Sequence, residues 1–138
     1  MDAPPEKYAA QSEADVLALV TANPFAWVVS AGEGFSATPL PLRPRLDDAG
    51  QLAALAGHFA RSNPQVARLR AVPRALMLFM GPHGYVSPSW MADRTQAPTW
   101  TYACAAFECD ITFDESPEAT RAVLDDLIET MEAGRPKA

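Results

Sequence analysis

Thirteen prolines are distributed through the 138 residues of this chain, against seven glycines. Proline has no backbone N–H and a fixed φ, so it is excluded from helix interiors and central strands and is confined to first turns, strand ends and sheet edges. Interruptions this frequent favour a β-rich fold built from short elements. Pro39 and Pro41 in particular predict that the strand around them ends, bulges or lies at the edge of a sheet.

The length is most simply that of a single domain, residues 1–138, which can bury roughly two-thirds of its unfolded surface in one core. Residues 1–11 and 134–138 are expected to be flexible. The segment Met1 to Lys7 lacks the apolar stretch of a signal peptide, and no apolar run approaches the ~20 residues of a membrane span. We therefore expect a cytoplasmic protein that does not enter a membrane.

The hydrophobic patterns predict about six strands and three helices. A serine followed by acids or proline and then an apolar stripe, at Ser12 and at Ser116, is the pattern of a capped helix start. Runs rich in β-branched and aromatic residues predict the strands. The predicted strands are residues 25–31, 35–42, 51–59, 74–80 and 99–113, the last being one long strand or two joined by a bulge. The predicted fold is mainly β (α+β), a small Greek-key barrel with peripheral helices.

The net charge of -6 is unevenly distributed along the chain. Residues 24–107 carry four acids and seven arginines, whereas both ends are acidic. A basic middle inside an acidic protein suits a local anionic ligand such as a phosphate, because a DNA backbone requires a broad positive face. The two longest predicted helices are acidic, so direct DNA binding is not expected.

A candidate phosphate site lies where the strand ending near Phe59 meets the next predicted helix. His58, Arg61 and Ser62 precede a helix start that Ser62 or Asn63 would cap, with Pro64 in its first turn. A helix start offers free N–H groups beside these polar side chains, which is the chemistry that binds phosphate. A plain connection with Arg61 in water is an equally good interpretation of these residues.

The segment from Gly81 to Met91 combines an imidazole, two aromatic rings and two hydroxyls directly after the apolar run 74–80. Such a density of rigid and polar groups at the end of a buried strand is typical of a small-molecule site. Trp100 and Tyr102 are two residues apart in the last strand, so they lie on the same face. The Thr38 hydroxyl is available at the proline-containing edge.

Other chemistries have weak support in this sequence. Ser87 and Ser89 lie near His83, but no matching acid or nucleophile elbow accompanies them, so turn hydroxyls are the better interpretation. His58 and His83 are isolated histidines without the companions of a metal or haem site. No catalytic residue and no metal site is predicted.

Four blocks together resemble the PaiB-like FMN-binding proteins, a family associated with negative transcriptional regulation and built on the FMN-binding split barrel. The blocks are residues 37–41 (ATPLP), 57–65 (GHFARSNPQ), 81–90 (GPHGYVSPSW) and 98–102 (PTWTY), in the order and spacing of the family. The resemblance covers roughly residues 8–132. It implies an FMN-binding split barrel and a homodimer with two FMN molecules at the subunit interface.

The resemblance also implies roles for individual residues. The FMN phosphate would be held by Arg61, Ser62 and Asn63, with His58 and Gln65 nearby. The isoalloxazine ring would be faced by residues Thr38, Pro39 and Leu40, and walled by Trp100 and Tyr102 of the other subunit, with His83 also assigned to the cofactor site.

The resemblance implies an FMN-binding protein with a redox or transcription-related regulatory role. The alternatives are a flavin-dependent oxidoreductase that uses NAD(P)H and a haem-binding split-barrel protein. The segment 81–91 serves mainly to identify the family, and packing is the better interpretation of Trp90.

Overall fold

A computed structural model of the protein describes residues 1–136. The strands are β1 (Phe25–Ser30), β2 (Ser36–Pro41), β3 (Arg43–Leu46), β4 (Leu52–Ala56), β5 (Arg74–Val86) and β6 (Thr99–Asp110). The helices are α1 (Glu13–Ala22), α2 (Gln65–Ala71) and α3 (Pro117–Glu132), with single 3₁₀ turns at Glu6–Tyr8 and Pro88–Trp90. The predicted mainly β fold with about six strands and three helices is confirmed. Residues 137 and 138 of the tail that was predicted to be flexible lie outside the described residues.

The strands form two antiparallel sheets. One sheet has four strands in the order β2-β1-β5-β6, and the other pairs β3 with β4. Within residues 1–136 no ladder joins the two sheets, so the arrangement is split-barrel-like and open. The strand β2 carries Pro39 and Pro41 and lies at the edge of its sheet, as the prolines predict. None of the helices in the described part of the chain is long and apolar enough to cross a membrane.

The core lies on one face of the four-stranded sheet, the inner face. Alternate side chains of β1 and β5 point into it, and α1, α2 and the chain leading from β2 to β3 contribute the remainder. The buried apolar residues are Val20, Ala26, Val28, Leu40, Leu42, Leu69, Ala75, Met77 and Phe79. Phe79 is the largest of them and packs edge-on against Phe107 at 5.8 Å between ring centroids.

The opposite face of the same sheet, which we call the outer face, is apolar and exposed. Trp27 lies opposite Pro39 on one side and Leu78 on the other, and Leu78 lies opposite Ala106, so an apolar row crosses all four strands. Phe25 is 66% exposed and Trp27 51%. The name refers to its apolar part, which comprises Phe25, Trp27, Val29, Ala37, Pro39, Leu76, Leu78, Met80, Cys104 and Ala106. This part is bordered at one end by the ion-paired residues Arg74, Glu108 and Asp110.

A β-bulge divides the long strand β5. Met80 pairs with Cys104 and His83 with Tyr102, so β5 advances three residues where β6 advances two. One extra residue reverses which side chains point to which face, and His83 and Tyr85 therefore lie on the outer face together with Leu78 and Met80. The predicted strand end at Met80 is wrong, because the bulge accommodates Pro82 without a ladder donor and pairing continues to Val86.

We predict that Phe79→Ala lowers the free energy of unfolding by about 3–5 kcal/mol, because it removes a fully buried ring and leaves a cavity. The control is Phe35→Ala, whose ring is 87% exposed, and this change should cost less than about 0.5 kcal/mol. Urea denaturation of both variants measures the difference. Equal midpoints for the two variants would contradict the assignment of the core.

Candidate functional site

The amide of Gln65 is the centre of a buried polar network between α2 and the sheet. Gln65 is 0% exposed. Its Nε2 donates to the carbonyl oxygens of Val28 and Ser36, at 3.0 and 3.1 Å, and to the Ser30 hydroxyl at 3.1 Å. Its Oε1 accepts a hydrogen bond from the Thr38 hydroxyl at 2.5 Å. The side chain therefore joins β1, β2 and the start of α2.

Asn63 extends this network to the turn before α2. Its Nδ2 donates to the Thr38 hydroxyl, and its Oδ1 accepts from the Gln65 N–H, both at 2.9 Å. Asn63 thus satisfies the start of the helix, while Pro64 occupies the N-cap position. The helix begins at Gln65, one or two residues later than the predicted cap at Asn63 or Ser62 implies. The expectation of free N–H groups is wrong for Gln65 and Val66, since Val66 N–H donates to the Asn63 carbonyl.

Three predicted site residues, Thr38, Asn63 and Gln65, are therefore brought together, and their side-chain polar groups bond to one another. Such a network fixes the conformation of the turn at Arg61 and Ser62. Leu40 is buried in the core, whereas Pro39 faces outward from the edge strand. The expectation of an available Thr38 hydroxyl at the sheet edge is wrong, because this hydroxyl bonds to Asn63 and Gln65.

Arg61 and Ser62 are exposed in this turn, with His58 close by in the chain. Five of the seven arginines between residues 24 and 107 contact acceptors in the described part of the chain. Arg43 and Arg45 contact Asp126, Arg68 contacts the Glu33 and Gly34 carbonyls, Arg70 contacts Glu115, and Arg74 contacts Glu108 and Asp110. Arg61 and Arg94 have no such partner among residues 1–136. Arg61 is therefore a cation available to an anionic ligand.

An open cleft of about 1120 Å³ separates β4 from the end of β6 and the start of α3. His58 and Arg61 line one side of it, and acids including Asp114 line the other. Hydrogen bonds from Ser116 lower the pKa of Asp114, so this carboxylate stays charged. Burial raises the pKa of Cys109, which also lines the cleft, and its thiol is therefore neutral at neutral pH. No group of three or more potential metal ligands occurs within residues 1–136.

The second group of predicted site residues lies at the far end of the β5–β6 hairpin. The indole N–H of Trp100 donates to His83 Nδ1 at 3.1 Å, and the two rings stack with centroids 6.0 Å apart and planes 24° apart. Tyr85 lies 6.1 Å from Trp100 and 6.5 Å from Trp90, between ring centroids. Trp100 is 56% exposed, and Tyr102 is more exposed still. These rings extend the outer face beyond the bulge.

The two groups are far apart within one chain. Thr38 of β2 pairs with Val28 of β1, Val28 pairs with Met77 of β5, and Met77 pairs with Phe107 of β6. Three strand spacings, about 14 Å, therefore separate Thr38 from β6. Trp100 lies a further seven residues along β6 from Phe107, roughly 24 Å in an extended strand. The groups also belong to opposite faces of the sheet. A single chain therefore does not bring the predicted phosphate and ring residues to one ligand.

Sequence reasoning missed the outer face. The apolar run 74–80 predicts a buried strand, but Leu78 and Met80 within it are exposed. Trp27 and Pro39 are the residues that could have revealed this face. Both are large apolar residues of neighbouring strands, and they lie on the same side of the sheet. The bulge at residues 81–82 could not be located from the pattern, and the outward position of His83 depends on it.

Comparison with known proteins identifies relatives. Residues 3–138 match a family whose description is "Putative FMN-binding domain". The chain is 35% identical over 99 residues to the Protease synthase and sporulation protein PAI 2 of Bacillus subtilis (strain 168), an alignment that covers 71% of this chain and 46% of that protein. The aligned region thus spans about half the length of this relative.

We predict that Gln65→Leu destabilises the protein by about 2–4 kcal/mol, because it leaves the acceptors of Val28, Ser30 and Ser36 buried without a donor. The matched control is Gln96→Leu, whose amide bonds only to Asp93 at the surface, and this change should cost less than about 0.5 kcal/mol. Chemical denaturation of both variants provides the comparison. A Gln65→Leu protein as stable as the control would show that the network is not structural.

Proposed function

The chain belongs to the FMN-binding domain family, with FMN as its cofactor, and we propose that it acts as a homodimer that holds FMN between its two subunits. The observation that carries the proposal is the separation of the two residue groups, one around Arg61 and one around Trp100, within a single chain. In a dimer, the phosphate turn of one subunit and the aromatic hairpin end of the other would meet at one ligand.

The donor set fits FMN at its phosphate end. The guanidinium of Arg61 bonds to no carboxylate in residues 1–136, and the exposed Ser62 hydroxyl lies beside it in a turn that the Asn63 network holds rigid. Arginine binds phosphate oxygens with two parallel N–H groups, and a hydroxyl supplies a further donor. In this proposal Arg61 and Ser62 hold the phosphate, His58 lies nearby, and Thr38, Asn63 and Gln65 position the turn.

The aromatic group fits the other end of the cofactor. An isoalloxazine ring is flat and apolar on both faces, with carbonyl and nitrogen acceptors along one edge. Trp100 and Tyr102 of the partner would cover a face of the ring, and the edge strand β2 at Pro39 would approach it from the first subunit. The flavin supplies electron or hydride transfer when bound, and the chain's own residues bind and orient it. A redox role follows from that chemistry.

The exposed surface of the chain supports the dimer. Its accessible surface is 10113 Å², whereas a compact monomer of 14.9 kDa exposes about 7,000 Å². The excess is about 3,000 Å² for each chain, so two chains together expose about 6,000 Å² beyond the compact expectation, which is at the upper end of the total area that obligate dimers bury, and such interfaces are apolar. The outer face has this composition, and it is continuous with the aromatic residues at the hairpin end. We infer that the outer faces of two subunits pack together.

We predict that Arg61→Gln weakens FMN binding by about 10- to 100-fold, because a charged hydrogen bond to the phosphate is worth about 1.5–3 kcal/mol. Arg94→Gln is the matched control, since Arg94 also has no carboxylate partner in the described residues but lies in a different loop. Titration of FMN fluorescence measures both affinities. Riboflavin, which lacks the phosphate, should bind the wild type and Arg61→Gln equally. An unchanged FMN affinity in Arg61→Gln would refute the phosphate assignment.

We predict that Leu78→Glu converts the dimer to a monomer and abolishes FMN binding, because it places a charge in the centre of the outer face. Phe35→Glu, at an exposed apolar residue outside this face, should leave the dimer intact. Analytical ultracentrifugation gives the masses. In the Leu78→Glu monomer the Cys104 thiol should react faster with a thiol reagent than in the dimer, since Cys104 lies on the same face. A wild-type protein that is monomeric with FMN bound would exclude the proposal.

A further inference from the structure

The contact between Trp100 and His83 determines where the imidazole of His83 carries its proton. The Trp100 indole is a donor only, and it donates to His83 Nδ1 at 3.1 Å. A neutral imidazole has one protonated and one unprotonated nitrogen, so an accepting Nδ1 places the proton on Nε2. The near-parallel stacking of the two rings also fixes the orientation of the imidazole. His83 therefore presents an N–H donor in a defined direction.

The β-bulge places this donor on the outer face. Without the extra residue between Met80 and His83, the alternation of β5 would turn His83 to the opposite side of the sheet. His83 pairs with Tyr102 in the ladder and bonds to Trp100. It therefore lies beside the two residues proposed to cover the flavin ring. His83 is exposed, and Trp100 is the only hydrogen-bond partner of its imidazole among residues 1–136. Its Nε2–H is thus available to a ligand.

We propose that His83, oriented by Trp100, donates its Nε2–H to an acceptor on the isoalloxazine edge of FMN and thereby tunes the reduction potential of the flavin. This inference rests on the proposed function, because it requires the ring to lie against the hairpin end. Reduced flavin carries additional negative charge at N1 and the neighbouring carbonyl, and a donor near these atoms stabilises the reduced form more than the oxidised one. His83 is then a ligand contact, and Trp100 is the positioning residue.

The first experiment tests the tautomer without FMN. In protein labelled with ¹⁵N-histidine, at a pH where the imidazole is neutral, the ¹⁵N chemical shifts should identify His83 as protonated on Nε2. Trp100→Phe keeps an aromatic ring but removes the indole donor, so the same spectrum should show a mixture of tautomers. A wild-type His83 protonated on Nδ1 would overturn the proposal.

The second experiment measures the two-electron midpoint potential of FMN bound to the variants. His83→Phe should reduce the preference for reduced over oxidised FMN about tenfold, which lowers the potential by roughly 30 mV. His83→Gln retains an N–H donor and should restore most of the wild-type value. Tyr8→Phe removes a hydroxyl from an exposed tyrosine outside the proposed site and should leave the potential unchanged.

The outcomes separate the two proposals. Wild-type protein that binds no FMN would refute the proposed function, and this inference with it. Wild-type protein that binds FMN, together with a His83→Phe variant whose potential equals that of the wild type and of Tyr8→Phe, would refute the role of His83 alone. Ultracentrifugation of each variant confirms that the dimer persists, so that a change in potential is not a result of dissociation.

Discussion

The hydrogen bonds of the Gln65 amide are the interaction on which this architecture depends. An amide that is fully buried costs several kcal/mol unless its groups are bonded, and here acceptors from β1 and β2 and a donor from β2 are arranged to bond it. The same bonds also attach the edge strand β2 to α2. This attachment adds to the ladder between β2 and β1, which the prolines of β2 interrupt. The bonds also fix the turn that presents Arg61. One buried side chain thus links the fold to the phosphate end of the proposed site.

The second determinant is the bulge in β5, which decides the composition of the outer face. A strand of regular alternation would divide its large side chains between the two faces. The extra residue instead adds His83 and Tyr85 to the face that already carries Leu78 and Met80. A continuous apolar and aromatic surface results, far larger than isolated exposed apolar residues would give. The bulge therefore links the hairpin end to the surface proposed to form the dimer.

The sequence allowed the element types to be predicted where each depends on local chemistry. Ser12 and Ser116 accept hydrogen bonds from Asp15 and Ala119 N–H groups, as a helix cap requires. The edge position of β2 is one of the three alternatives that Pro39 and Pro41 predict. Features that depend on residues distant in the chain could not be predicted. The burial of Gln65 requires acceptors from two strands more than 25 residues away, so local sequence does not reveal it, and the family resemblance places Gln65 near the phosphate. The short strand β3 has little pattern of its own and pairs only because β4 returns beside it.

A ligand site composed of residues from two subunits has a thermodynamic consequence. If FMN contacts Arg61 of one subunit and Trp100 of the other, it binds the dimer and not the separated chains, so binding and association are linked. FMN then tightens the dimer by the same factor by which dimerisation tightens FMN binding, because the coupling free energy is reciprocal. In the proposed dimer the apolar outer face would supply most of the free energy of association, because that free energy depends mainly on the buried apolar area. Arg61 and His83 would add directional contacts that discriminate among ligands. Under this scheme, loss of the cofactor loosens the dimer, and the concentration of free FMN controls how much of the apolar face is exposed to other partners.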